Sequence, residues 1–220
     1  MKRIIFPVIV LIFFVLLPSC NQTRNIVKIL QNSECDPPCW LGVKPNITTK
    51  DEALNLLIAH PKIIKTETIN EFTLGRYNTT TVGFSTSFSR LESIFVIEKD
   101  LISYILLDID TKKMELSQGI ELFGIPEKLL LQAQPCKEQF FGQSMCLRAF
   151  LIYPEKNMIL SYEQRSSDLD HIDNSENRKI DRVFFYGSQE NLLSKILNSE
   201  VKVIKIDWPG YSVIDLSSSK

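Results

Sequence analysis

The sequence predicts an α+β domain, in which short helices pack on an antiparallel sheet in two similar helix-plus-strands halves. Three observations carry this. Two short amphipathic segments each run into a proline stop, at Pro61 and at Pro126. Each is followed by extended chain rich in β-branched and aromatic residues. Each half then closes on a hairpin turn, Glu98-Lys99-Asp100 in the first and Pro154-Glu155-Lys156-Asn157 in the second. Residues 53–61 and 118–126 align at an offset of 65, and 98–100 and 155–157 at an offset of 57, so the first half is longer between helix and hairpin.

Cys35-Asp36-Pro37-Pro38-Cys39-Trp40 opens the domain, and its two prolines deny both helix and strand pairing, leaving a tight turn. Thr49 and Glu52 fit the capping box, and Ala53, Leu54, Leu57 and Ile58 form one apolar helical face behind it. Residues 63–69 and 79–88 read as extended. Strands over 90–97 and 101–109 flank the first hairpin turn. A second helix is expected near 117–123, where Leu116, Ile120 and Phe123 share a face, Gly124 supplies a left-handed cap and Pro126 stops the chain. Residues 127–134 read as extended, 136–146 as a loop, and 147–153 with 158–163 as the second hairpin. Residues 165–179 read as a polar loop. A strand over 181–187, a third helix over 188–198 and a last strand over 201–207 complete the pattern, with Trp208-Pro209-Gly210 as the final stop. The expected organisation is one α+β domain over 35–216, with halves at 48–112 and 113–187, a C-terminal helix and strand at 188–207, and a tail at 217–220.

Ahead of the domain, Met1-Lys2-Arg3 is a short basic start and residues 4–17 are apolar, about fourteen residues where a membrane-spanning helix needs roughly twenty. This is the layout of a secretory signal peptide. Leu17-Pro18-Ser19-Cys20 resembles the cleavage site of bacterial lipoprotein signals. The resemblance implies removal of residues 1–19, a diacylglycerol thioether on Cys20 and an acylated amine. Two or three acyl chains would anchor the protein stably, where one chain binds only marginally. Residues 20–34 are then expected to tether the domain to the membrane, on its extracytoplasmic side.

Loss of residues 1–19 removes Lys2 and Arg3 and no acid, leaving 23 basic against 26 acidic residues, a net charge of −3. That mild acidic balance, without a basic stripe, argues against nucleic acid as a partner. With Cys20 assigned to lipid, Cys35, Cys39, Cys136 and Cys146 remain, an even number that in an exported chain points to disulfides. Three pairings are open. The local pairing of Cys35 with Cys39 and Cys136 with Cys146 is expected, each bridge worth about 2–3 kcal/mol by chain entropy. Crossed pairing would instead staple the N-terminal segment to the middle of the domain.

Pro38-Cys39-Trp40-Leu41-Gly42-Val43-Lys44-Pro45, followed by Thr48-Thr49 and Glu52-Ala53-Leu54, resembles the start of a group of uncharacterised exported bacterial lipoproteins. More remotely, the Thr49-x-x-Glu52-Ala53 helix start and the Phe123-Gly124-Ile125-Pro126 stop resemble repeats of β-lactamase-inhibitor-protein-like domains, shared with small outer-membrane assembly lipoproteins. That likeness implies a binding or assembly module with no catalytic residues and no cofactor.

Cys35, Cys39 and the distant His171 are similar to the ligands of membrane-anchored copper chaperones, and soft thiolate with imidazole suits copper. A plain disulfide is the simpler reading, because no strand precedes the cysteine pair. Asp168, Asp170, Asp173, Asn174 and Glu176 offer hard oxygen ligands, but their spacing is wrong for an EF-hand and reads as a solvated acidic loop. Asp108 and Asp110 read as a solvated strand end. No nucleophile elbow, phosphate loop or His-Glu-x-x-His motif occurs. Phe140 and Phe141 fall within the expected Cys136–Cys146 loop, where either the loop folds back onto the sheet and buries them or a tight bridge leaves them as an exposed contact for a partner. The expected function is therefore non-catalytic binding or assembly at the cell envelope, by a lipid-anchored protein with an unknown protein or envelope component as partner. The alternatives are a copper or thiol-redox role for Cys35 and Cys39, and inhibition of a secreted enzyme.

Overall fold

The computed structural model describes residues 35–61, 63, 70–73, 80–86, 93–109, 114–135, 145–165, 171–188, 192–193, 197 and 202–215, together with Val27 and Leu30. Helix α1 (Lys50–Ala59) begins where the capping box places it. The Glu52 N–H donates to Thr49 Oγ1 at 3.3 Å, and the Thr49 N–H donates to Glu52 Oε2 at 2.9 Å. Strands β1 (Asn70–Thr73), β2 (Thr80–Phe84), β3 (Ser93–Glu98) and β4 (Leu101–Asp108) follow. The β3–β4 turn is Lys99-Asp100, both residues at positive φ, which matches the twist a two-residue hairpin needs.

Helix α2 (Leu116–Phe123) has Glu115 at its cap, whose N–H donates to Gln118 Oε1 at 2.9 Å. It ends at Gly124, where φ is 85° and ψ is −173°, so the chain leaves at positive φ but extended rather than in the left-handed helical well the sequence suggested. Gly119 lets this helix press close to the sheet, because a Cβ there would run into Ile180 and Leu160. Strands β5 (Lys128–Pro135), β6 (Met145–Tyr153), β7 (Met158–Arg165), β8 (His171–Asp173), β9 (Arg182–Tyr186), β10 (Val203–Asp207) and β11 (Val213–Asp215) complete the set.

Nine strands form one sheet in the order β1-β2-β3-β4-β9-β7-β6-β5-β10, with every neighbour antiparallel. Strands β11 and β8 pair separately. The α+β class therefore holds, as a mostly-sheet fold with few helices. Helix α1 precedes the four-stranded meander β1-β2-β3-β4 and α2 the three-stranded meander β5-β6-β7, with β9 between them.

The period-2 alternation of the strands sorts side chains onto two faces. One face carries Phe84, Phe95, Ile105, Leu151, Leu160 and Val183, packed with Leu57 of α1 and Leu116 and Phe123 of α2. The other face carries a smaller cluster, Leu130, Phe150, Ile159, Phe184 and Tyr186, with Leu192 buried in it and Leu193 and Leu197 against it. The Leu192 N–H donates to Ser188 O and the Leu197 N–H to Leu193 O, both i to i−4, where the third helix was expected. Apolar chain thus covers both faces, not one. Val27 and Leu30, from the segment expected to be a tether, pack into the main core. Strand β8 lies within 165–179, which read as a polar loop, and β11 lies beyond the expected final stop at Trp208-Pro209-Gly210.

Candidate functional site

Cys35 and Cys39 form a disulfide with Cα atoms 5.6 Å apart, and Cys39 is buried at 1% exposure. The bridged turn drives Trp40 into the core, stacked on Phe84 at 5.5 Å between centroids and edge-on to Phe95 at 6.2 Å. Cys146, at the start of β6, is also buried and disulfide-bonded. Its partner, and Cys20, Cys136, Phe140, Phe141 and Asp110, lie outside the described residues.

His171 opens β8, half exposed, with Nε2 3.9 Å from Asp215 Oδ1, and His60 caps the end of α1. Among the described residues no group of three or more His, Cys, Asp or Glu side chains is placed to hold a metal ion. Cys35, Cys39 and His171 are all described, so the structure does not assemble that trio. Asp168 and Asp170 lie outside the described residues, and the part of the acidic stretch at Asp173 and Asn174 is not freely solvated. Asn174 is fully buried, accepting from the Tyr162 hydroxyl at 3.0 Å and donating to the Gly210 carbonyl, which ties β7 to the C-terminal segment. Burial pushes the Asp173 carboxyl up, but hydrogen bonds from Ser175 and the Arg178 guanidinium outweigh it and hold the group below the usual carboxylate range.

On the face away from α1 and α2, polar side chains gather in two adjacent cross-strand rows. Asp108, Arg182 and Ser161 stand in one row, and Glu163, Arg148 and Gln132 in the other. Arg148, 1% exposed, donates from Nη1 to both Asp181 oxygens and to Ser161 Oγ at 3.3 Å, and from Nη2 to Glu163 Oε2. Arg182 Nε donates to Asp108 Oδ1 at 3.2 Å, so Asp108 is a buried ion-pair partner rather than a solvated strand end. Both guanidinium ends of Arg148 are committed to carboxylates of the chain itself. The cluster therefore binds strand to strand and has no free cation to present to a ligand. Sequence reasoning missed it, although Arg148 is the lone charge in the otherwise apolar run Cys146-Leu147-Arg148-Ala149-Phe150-Leu151-Ile152.

A pocket of about 250 Å³ opens where α2 ends against the β6–β7 turn. Phe123, Ile125 and Pro154 give it apolar walls, Tyr153 completes the lining, and Glu127, Glu155 and Lys156 stand around it. Glu127 is already paired with Lys128 at 2.7 Å. Tyr153 is 4% exposed, and its hydroxyl is buried without a hydrogen-bond partner. Burial, with a smaller contribution from nearby Tyr211, pushes that hydroxyl's pKa well up, so it stays protonated and able to donate. The C-terminal segment flanks the pocket, because the Trp208 N–H donates to the Glu127 carbonyl at 3.2 Å.

No family model matches this chain, and neither a curated protein nor a solved structure does. The class of protein defined at this point is a disulfide-bonded α+β domain dominated by one antiparallel sheet.

Proposed function

We propose that this chain is an exported lipoprotein, anchored through lipid on Cys20, whose domain binds a protein or envelope component without catalysis. Cysteine use is the observation that carries the reading. Cys35–Cys39 is bridged and Cys146 is bridged, and such bonds persist in oxidising compartments outside the cytoplasm. The lipoprotein-like signal at Leu17-Pro18-Ser19-Cys20 points to the same compartment. In the most prominent polar cluster both terminal nitrogens of Arg148 pair with carboxylates of the chain itself, though its buried Nε has no partner, which fits a scaffold better than a reaction centre. The copper or thiol-redox alternative needs Cys35 and Cys39 as accessible thiols, and the burial of Cys39 gives it no support.

We also read each helix with its following meander as one repeat. The mirrored order β2-β3-β4, β9, β7-β6-β5 supports a domain of two similar halves. An exposed contact at Phe140 and Phe141 stays part of the proposal.

The test is detergent phase partitioning of the protein expressed with its own leader, beside a Cys20→Ser variant. The unaltered protein is expected in the detergent phase, with an N-terminal peptide whose mass includes lipid. The variant is expected to lose that mass and leave the detergent phase. Identical partitioning of the two, with no lipid mass, overturns the anchor.

A further inference from the structure

We propose that the entry loop 41–48 and the last turn of α1 rest on the lipid surface that holds the protein, with Ile47, Leu56 and Ile58 set into its interface. The inference rests on the lipid anchor at Cys20 proposed above, and names the side of the domain that the anchor turns toward the bilayer.

Chain length limits the choice of side. Val27 and Leu30, both in helical conformation, pack into the main core, on the side of the sheet that carries α1 and α2. Six residues, 21–26, separate Val27 from Cys20. The seven steps from Cys20 to Val27 span at most about 25 Å. A domain of this length is about 40 Å across by the scaling of radius of gyration. The face that carries Leu130, Ile159 and Phe184 is therefore held away from the bilayer, and the helix-bearing side stays next to it.

Apolar surface is exposed on that side where the chain enters the domain. In the turn at 44–48 the Ile47 and Thr48 N–H groups both donate to the Lys44 carbonyl, at 3.2 and 2.9 Å. Pro45 and Thr48 are buried there, and Ile47 is left 70% exposed. Leu56 lies over the same loop, because a Cβ on Gly42 would meet its methyl groups at 3.5 and 3.6 Å. Leu57 faces the core, so Leu56 and Ile58 emerge on its two flanks, at 38% and 51% exposure. Lys44 and Lys50 are offset by Asp51 and Glu52, so the contact is apolar rather than an attraction to charged headgroups.

Three aliphatic side chains are too few to hold a protein on a bilayer alone, where even one acyl chain binds only marginally. Behind an acyl anchor and so short a linker the encounter is intramolecular, and effective concentration lets a small surface act.

The test uses the full-length protein, expressed with its own leader and placed in phosphatidylcholine nanodiscs, with isoleucine and leucine methyl groups labelled for NMR. A nitroxide-bearing phospholipid in the disc is expected to broaden the Ile47, Leu56 and Ile58 methyl signals several-fold more than that of Ile159 on the far face. In the double variant Ile47→Ser, Ile58→Ser, which alters only exposed positions, the Leu56 broadening is expected to fall several-fold. Broadening as strong at Ile159 as at Ile58 overturns the proposal, and so does broadening greatest at β11. An unchanged Leu56 signal in the double variant also overturns it, because the linker alone then sets the distance. A protein with lipid mass on its N-terminal peptide but no selective broadening sinks this inference alone. A protein without lipid mass sinks the anchor, and this inference with it.

Discussion

Arg148 and Asp181 meet on the sheet face away from α1 and α2, with one guanidinium nitrogen, Nη1, donating to both carboxylate oxygens at 2.8 and 3.1 Å. Glu163 takes the other end of the guanidinium, so three charges from β6, β7 and the residue before β9 are interlocked where Arg148 is almost wholly desolvated. Burying charge is costly unless it is paired, and breaking such a pair leaves the remaining charge uncompensated. Arg148→Met is therefore expected to lower the free energy of unfolding by about 3–5 kcal/mol in urea titration. Adding Asp181→Asn and Glu163→Gln to that variant should recover part of the loss, because the stranded carboxylates are then neutral. A single variant as stable as the parent would mean that the cluster is hydrated in solution.

The Thr49 capping box makes a pH-dependent prediction. Hydrogen bonds from the Thr49 backbone N–H, and then from its hydroxyl, hold the exposed Glu52 carboxyl below its ordinary pKa. A carboxyl depressed in the folded state adds stability above its unfolded pKa and loses it as pH falls through the folded one. Thr49→Ala should cost about 1 kcal/mol at neutral pH, typical for loss of a helix N-cap. Chemical denaturation across the acid range should also show a shallower acid loss in the variant. An unchanged acid slope would mean that Glu52 contributes no linkage.

Local signals explain what the sequence disclosed. Thr49 with Glu52, Gly124 with Pro126, and the turns at Lys99-Asp100 and Pro154–Lys156 each act within a few residues, so the helices and both hairpins were legible. Strands β8 and β11 were not. Each is three residues long, and each exists only because Ile172 meets Ile214 from the far side of β9 and β10 in the chain. The insertion of β9 between β4 and β7 is likewise set by sheet closure, not by any feature of residues 182–186. The pocket joins Phe123 to Tyr153, and the polar cluster joins Asp108 to Arg182, contacts that a pattern of period 2 or 3.6 does not carry. The lone arginine of β6 was the one visible clue.

Trp40 turns the short Cys35–Cys39 loop into a plug. The chain-entropy relation gives about 2 kcal/mol for so small a loop, so a Cys35→Ser, Cys39→Ser protein should be destabilised by that amount. Trp40→Ala should cost more, about 3–5 kcal/mol, because it empties the space against Phe84 and Phe95. Urea unfolding followed by circular dichroism separates the two. If the serine variant loses as much as the alanine variant, the bridge is holding the tryptophan in place as well as restricting the unfolded chain.

Asn46 and Gly187 offer a direct test of how the N-terminal segment meets the end of β9. The Asn46 N–H donates to the Ile102 carbonyl at 2.6 Å, and its side chain lies where a Cβ on Gly187 would stand. Gly187→Ala should therefore be destabilised by about 1–3 kcal/mol through overpacking. Asn46 has φ of 63°, a conformation glycine adopts without penalty, so Asn46→Gly alone should be close to neutral. Combined, the two substitutions remove the collision, and the double variant should regain most of what Gly187→Ala loses. Four unfolding curves close the cycle, and residues in contact should give a coupling of at least about 0.5 kcal/mol. Additive losses would place the cost of a side chain at Gly187 elsewhere, and would remove the contact between residue 46 and Gly187 from the account of how the N-terminal segment meets the end of β9.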